Sequence, residues 1–534
     1  MRNTTSQGHR SGTWASSPRA AASGVRTGRI LAMAAAISLA GGLATGAGAT
    51  SLLNAGASGP SMQTGPEGMG GANTMTYDYT GSYAAALTAD GEEVSSEGET
   101  TEANEADQNA ALAQNGGTLT LTDATLTKSG DSDNADNNNF YGTNSVSLTV
   151  GEDSKTIISG STLKSASSGS NGVFATDSGT ALVYDTTIDT TSDNSRALDA
   201  TYSGTILAGK VTAGTQGDHS ATVATDRGGG TVSVTDSTLS TAGSGSPLLY
   251  STGDVQANNV TGTASGSQIA GMEGYNTILI NDSTLESTNT GKTGSDPIAN
   301  GVIIYQSTSG DAESSTGEHA TFQAKDSTLK SAIESGSMFY FTNTTADVVL
   351  SNTTLDFDAS KATLINASGN DANNWGSAGS NGATVSFTGR SQQLEGDVTA
   401  DTISTVSLYL LEGSVWTGSA SISENTAASD ETTSDAPISV NVDSTSTWRV
   451  TGDTTVSALN VAAGGKVVDA EGRSATIVAN GTTVVQGDGD VTVTVTGDYS
   501  TTVNTGDDTE LAADTVDRSA FDEQFGTSTS WSMA

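Results

Sequence analysis

From about residue 116 onward the chain alternates apolar and polar positions in short runs, and those runs recur. Leu119-Thr-Leu-Thr-Asp123-Ala-Thr-Leu126 is followed by Leu182-Val-Tyr-Asp185-Thr-Thr-Ile188 and Val232-Ser-Val-Thr-Asp236-Ser-Thr-Leu239. Ile278-Leu-Ile-Asn-Asp282-Ser-Thr-Leu285, Phe322-Gln-Ala-Lys-Asp326-Ser-Thr-Leu329 and Val348-Val-Leu-Ser-Asn352-Thr-Thr-Leu355 continue the series. A period of two puts successive side chains on opposite faces of a strand. Thr, Val and Ile suit a pleated surface, and Asp, Asn and Gly mark the corners where φ > 0 is needed. No helical period competes with this one.

A second short apolar strand precedes each run. Its anchors, Phe174, Leu198, Val223, Leu249, Ile269, Ile304, Phe339 and Ile365, stand 24, 25, 26, 20, 35, 35 and 26 residues apart. Two or three short strands per period of about 24 residues make one turn of a solenoid. The expected fold is all-β, a parallel β-helix of about 20–26 residues per coil. With coils about 4.8 Å apart, some 16 coils over residues 116–500 would span roughly 75 Å. The two long periods contain polar insertions, 291–301 and 309–319, expected to emerge as loops while the coil stays in register. Residues 423–435 read as a third such loop.

The expected organisation has five parts. Residues 1–49 are a leader and 50–115 an acidic low-complexity linker, within which 102–113 could form a short helix that caps the solenoid. Residues 116–395 are the regular β-helix and 396–505 its C-terminal coils. Residues 506–534 are an acidic tail whose large apolar anchors are Phe521, Phe525 and Trp531.

Composition supports a thin solenoid over compact globules. Only 34% of residues are apolar and 5% aromatic, too little bulk for several wide cores. The formal net charge of −40 disfavours nucleic acid and anionic lipid as partners. The absence of cysteine excludes disulfides and thiolate chemistry. Residues 1–29 hold five Arg and no acid. Ile30–Leu39 is apolar, and Ala47-Gly48-Ala49 closes the segment with small residues. That order describes a secretory signal peptide cleaved after Ala49. No second long apolar stretch follows, so the mature chain is expected to be exported, extracellular or at the cell surface, with no transmembrane segment.

Ser444-Thr-Ser-Thr-Trp448-Arg-Val-Thr-Gly452, running on through Val456 and Leu459 to Gly464-Gly465, resembles the last coils of pertactin-type autotransporter passenger domains. Glu412-Gly-Ser-Val-Trp416-Thr-Gly418 resembles them too. The resemblance, carried by these motifs and the Asp-Ser-Thr-Leu repeats, covers roughly residues 116–500. It implies a right-handed β-helix, a hand that periodicity does not supply. It also implies an adhesin-like surface protein whose partners would be host or bacterial surface glycans or matrix proteins. Autotransporters end in an outer-membrane barrel of about 250–300 residues, and no such segment precedes Ala534. The expectation is therefore export through the general pathway, to the surface of a monoderm bacterium.

A carbohydrate-active lyase or hydrolase is the rival reading, because β-helices also carry paired carboxylates for such chemistry. Asp236, Asp282 and Asp326 recur at one repeat position, but inside the regular motif, which favours a structural ladder. His219 and His319 fall in polar turns and read as exposed. With two such His and no Cys, a catalytic zinc site is disfavoured. Asp131, Asp133 and Asp136 resemble a calcium loop but lack the central Gly and terminal Glu of an EF-hand, so a polar turn is preferred. Tyr250, Tyr305 and Tyr340 are candidate sugar-stacking residues, with core packing the competing role. No catalytic, cofactor-binding or metal residue is assigned and no cofactor is expected. A passive surface spacer is the third reading.

Overall fold

A computed structural model describes residues 75–132, 134–308, 314–372 and 375–534. The proposed leader, the first part of the linker and much of the 309–319 insertion lie outside them. The chain coils repeatedly, and each coil lays down three short strands that stack in register into parallel sheets. Sheet A has 13 strands, from Ala84–Asp90 to Ala420–Ser423. Sheet B has 15, from Glu93–Glu97 to Tyr499–Ser500. Sheet C has 10, from Thr100–Ala103 to Thr354–Asp356. A separate four-stranded sheet, Gln393–Glu395 to Lys466–Val468, forms in the later coils. With 46% strand and 4% helix, this is a parallel β-helix solenoid.

The interior is a column of stacked apolar residues. In sheet B, Ile206, Val232, Val255, Ile278, Phe322 and Val348 lie above one another, all buried. Each such side chain withdraws apolar surface worth about 1.5–3 kcal/mol from water. The core is one coil wide, which is how a chain poor in apolar residues can still close it. Trp416 and Trp448 stack inside the later coils with ring centroids 4.7 Å apart and an interplanar angle of 12°. Their indole N–H groups donate to the carbonyls of Gly396 at 2.9 Å and Gly418 at 3.0 Å. A Cβ on Gly418 would lie 2.2 Å from the Gly396 carbonyl, so the Trp-Thr-Gly motif needs its glycine.

The corner between sheets B and C explains the Asp-Ser-Thr-Leu repeat. Asp123, Asp185, Asp236, Asp282 and Asp326 all have φ between 46° and 51°, or 52° for Asp236, which is left-handed backbone that Asp and Asn tolerate best after Gly. The next residue staples the corner. Ser237 Oγ accepts the Val211 N–H of the preceding coil at 3.0 Å and donates to the Thr235 carbonyl at 2.6 Å. Ser283 and Ser327 repeat this arrangement. The Thr that follows opens a strand of sheet C facing outward, and the Leu faces the core. Neighbouring corners are linked by side-chain amides, as from Asn259 to Asp236 and Asn352 to Asp326, both at 2.6 Å.

Several expectations need correction. The solenoid begins at Ala84, not at 116. Strands Ala84–Asp90, Glu93–Glu97 and Thr100–Ala103 form the first coil, and Gln108–Gln114 opens the second. The linker reading of this stretch, and the helix over 102–113, fail because Ala- and Glu-rich segments of low β-propensity are held as strands by pairing with the next coil. Among the period anchors, Leu198, Val223, Leu249, Phe339 and Ile365 share one inward column. Phe174 is offset by one residue and faces outward, with Val173 in the core position instead. After Val468 the hairpin Thr476–Ala479/Thr482–Val485 introduces an antiparallel pair, and Thr492–Val495 and Tyr499–Ser500 then pair in parallel with Thr454–Val456 and Ala458–Val461, so coiling runs on to about residue 500.

Residues 506–534 are not a free tail. They run back across the outside of sheet B as a strap. Gln323 donates to the Glu510 carbonyl at 3.0 Å, and Gln256 accepts the Val516 N–H at 3.0 Å. Phe521 is fully buried against Leu182 and Leu207, and Phe525 stacks on Tyr184 at 5.0 Å. The chain then doubles back, so that Lys325 donates to the carbonyls of Met533 and Ala534. Met533, absent from the expected anchors, is fully buried. Arg518 is the buried pin. Its guanidinium donates to the Ala208 and Ser233 carbonyls and to the hydroxyls of Ser233, Thr235 and Thr529.

Two outcomes are expected. Replacing Arg518 by Ala should cost about 2–4 kcal/mol of strap docking, seen as rapid proteolysis confined to 506–534 while the β-sheet circular dichroism persists. Asp236→Gly should be nearly neutral and Asp236→Val should cost about 1–2 kcal/mol, measured by thermal unfolding. Equal effects of the two would refute the left-handed corner.

Candidate functional site

The three outer faces of the solenoid differ, and the difference defines the candidate site. The outside of sheet A is closed. Its outward column includes Leu148, Phe174, Asp199, Ala224, Tyr250 and Ile303, all buried. Helix α1 (Ala135–Tyr141), residues 75–83 and the polar insertions cover it. Thr293 accepts the Gly245 N–H at 2.8 Å and donates to the Gly266 carbonyl at 2.7 Å. Ser314 accepts the Gly228 N–H at 2.9 Å. At Thr293, and at Ser314 among the described residues of the second insertion, the chain is therefore tied down onto earlier coils rather than projecting from them. The 423–435 loop stays largely exposed. The strap covers the outside of sheet B from Leu182 to Arg390, while Glu93, Ser95 and Glu97 of its first strand stay exposed.

Beneath the sheet A covering sits an unusual polar layer. Arg196, fully buried, is 3.1 Å from Asp226 and 3.7 Å from Asp199, and it donates to Asn139 at 2.9 Å. Burial pushes both carboxyls up, Asp199 to about 6, while Arg196 pulls them down. Farther along, Glu273 accepts hydroxyl hydrogen bonds from Tyr250 at 2.7 Å and Tyr305 at 3.1 Å, and one from Ser307. Trp375 stacks on Tyr305 at 4.1 Å. Asp296 is buried with one oxygen accepting from Asn300 at 2.7 Å and the other without a hydrogen bond, and burial raises its carboxyl to about 7. Asp296, Tyr250, Tyr305 and Gln268 line a shallow recess of about 230 Å³ including its open mouth, below the usual range of ligand pockets.

Sheet C is bare among the described residues. The first residue of every one of its strands is Thr: Thr100, Thr125, Thr162, Thr187, Thr212, Thr238, Thr261, Thr284, Thr328 and Thr354 pair coil to coil without a break. All point outward, and from Thr212 to Thr284 they are exposed. The second outward column is mixed: Lys164, Asp189, Gly214, Ser240, Thr263, Glu286, Lys330 and Asp356. Lys330 pairs with Glu286 at 3.0 Å. The central strands Thr212–Thr215, Thr238–Thr241 and Thr261–Ala264 carry no ionisable group.

The residues singled out from the sequence fall as follows. Asp236, Asp282 and Asp326 stand at the left-handed corners, in the structural ladder. Tyr250, Tyr305 and Tyr340 are buried, so they offer no sugar-stacking platform, and they are not in the β-helix interior either. Tyr250 and Tyr340 share one outward column, whereas Tyr305 stands two residues along in the next. His219 is half-buried at a left-handed corner, φ 55°, equivalent to Gly169, Asn194 and Gly245. Burial and nearby Arg196 lower its pKa against the pull of Asp218 and Asp193. His319 is exposed and 2.9 Å from Asp347. Asp131 accepts the Ser168 N–H at 2.8 Å, as Asp193 and Asp218 do for the coils after them. Asp136 lies in the first turn of helix α1, and Asp133 is outside the described residues. Among the described residues no three His, Cys, Asp or Glu side chains are grouped to hold a metal.

Two features escaped the sequence reading. One is a second serine ladder at the corner between sheets C and A, where the N–H groups of Ser170, Ser195 and Ser220 donate to Ser195, Ser220 and Ser246 at 2.9–3.0 Å. The other is the threonine column, whose signal was present as the residue before each core Leu or Ile. No protein-family model matches this chain, and no curated protein is similar to it.

The buried carboxyls give a pH prediction. Asp296, Asp254 and Asp199 hold protons more tightly folded than unfolded. Their stabilisation is full below the unfolded value near 4 and is lost as pH rises through about 6 to 7. Thermal stability should therefore fall between pH 5 and pH 8. Asp296→Asn should recover at least about 1–2 kcal/mol at pH 8, less at pH 5, and nothing below about pH 4. A stability that rises over this range would refute the assignment.

Proposed function

We propose that this chain is an exported, surface-displayed β-helix of the adhesin type, non-enzymatic, whose contact surface is the outer face of sheet C. One observation carries the reading: among the described residues the chain's own segments cover the outside of sheet A and the middle of sheet B, and sheet C is left open, polar and repetitive. A ladder of this kind binds by repeated weak contacts and needs no catalytic constellation. The leader-like residues 1–49 and the likeness of Glu412–Gly418 and Ser444–Gly465 to pertactin-type passengers support export and display. No helix among the described residues is long and apolar enough to cross a membrane.

Material recovered from the culture medium or cell surface should begin at Thr50 by N-terminal sequencing. Purified protein should adhere to host-matrix or glycan-coated surfaces, and Thr238→Arg with Thr261→Arg should reduce adhesion at least tenfold with unchanged thermal unfolding. An unaltered Met1 on membrane-bound protein would refute the export reading. Polysaccharide cleavage abolished by Asp326→Asn would replace the adhesin with an enzyme.

A further inference from the structure

Resting on that reading, we infer that the threonine ladder of sheet C takes an uncharged linear polysaccharide lying along the stacking axis, with successive sugar units meeting successive coils. The ladder presents ten Thr side chains in register, spaced by the ~4.8 Å separation of parallel strands. That spacing is of the same order as the rise per sugar in an extended β-linked chain. A repeating donor and acceptor row is matched by a repeating ligand, because each hydroxyl both donates and accepts. β-branching fixes the Thr side chains at χ1, so little rotamer entropy is lost on contact.

Charge selects the class of polymer. The whole chain carries 60 acidic against 20 basic residues, so anionic polymers such as nucleic acid or uronate chains meet long-range repulsion. The three central strands of sheet C carry no charge at all, so a cationic partner would find its counter-charges elsewhere on the surface. An uncharged polyol needs no counter-charge on the central strands, and its hydroxyls can replace the hydrogen bonds to water that the threonines give up. With the candidate tyrosines buried, contact is by hydrogen bonds and threonine methyls. Each unit then contributes little, and affinity accumulates along the chain as in other multivalent binding.

The test uses the full mature chain and β-1,4-linked gluco- and manno-oligosaccharides of graded length, with polygalacturonate as the charged comparator, followed by calorimetry. Affinity should rise with length until the ligand spans the ladder and then level off. It should change less than twofold between about 50 and 500 mM salt. Thr238→Val, Thr261→Val and Thr284→Val together keep the side-chain shape and strand preference but remove three hydroxyls, and should weaken binding at least tenfold without shifting thermal unfolding. Absence of binding at every length, salt-sensitive binding of polygalacturonate alone, or full binding by the Val variant would overturn the inference. So would light scattering that shows a dimer of the mature chain which Thr238→Arg with Thr261→Arg dissociates. Adhesion to a protein matrix that persists and is lost in the Thr238→Arg, Thr261→Arg variant would leave the adhesin reading standing without this ligand.

Discussion

The corner between sheets B and C is the constraint on which the rest depends. A parallel coil must turn sharply three times and still arrive one strand spacing higher, in register. The left-handed Asp supplies the turn, and the following Ser satisfies the backbone N–H that the turn would orphan in the coil before. An unsatisfied buried N–H costs about 1–3 kcal/mol, so a corner without its staple would weaken two coils at once. Because each corner bonds to the one before it, an error in register would misalign the inward residues of every later coil.

Given the corners, the core follows. Inward residues stack on their own equivalents, so a thin column of Val, Ile, Leu and Ala excludes water over the length of the solenoid. The same stacking leaves three outer faces that the core does not protect. Sheets A and B carry large apolar residues outside as well as in, including Phe174, Tyr250, Leu182 and Leu207. These would be aggregation-prone patches if left open. The chain covers them with its own insertions, helix α1 and the C-terminal strap. Sheet C carries Thr outside and requires no cover. The distribution of outward residues thus accounts both for where the insertions go and for which face stays free.

Covering sheet A has an electrostatic consequence. Outward residues of sheet A and its flanking turns that would otherwise be solvated become a buried layer, in which Arg196 faces two carboxyls and Glu273 is held by hydroxyls. Asp296 is sealed in with a single donor. Buried carboxyls of this kind favour their neutral form. The opposite balance is found at the half-buried Asp443, where burial pushes the carboxyl up but backbone and side-chain hydrogen bonds together hold it below its usual range.

The sequence alone determined the solenoid, because inward residues recur at coil spacing and a period of two is a local property of each strand. It showed the Asp corners and the tandem Trp motif for the same reason: the signal lies within eight residues. It did not show where the solenoid begins, since the Ala- and Glu-rich strands from Ala84 are strands only by pairing with the coil above. Nor did it show the fate of Tyr250, Tyr305, Asp296 or the strap. Alternation tells inside from outside, but whether an outside residue meets water depends on segments as far away as the 285 residues that separate Arg518 from Ser233. The open face of sheet C is likewise a tertiary result: the threonines are local, and their exposure exists because the covering segments among the described residues went elsewhere.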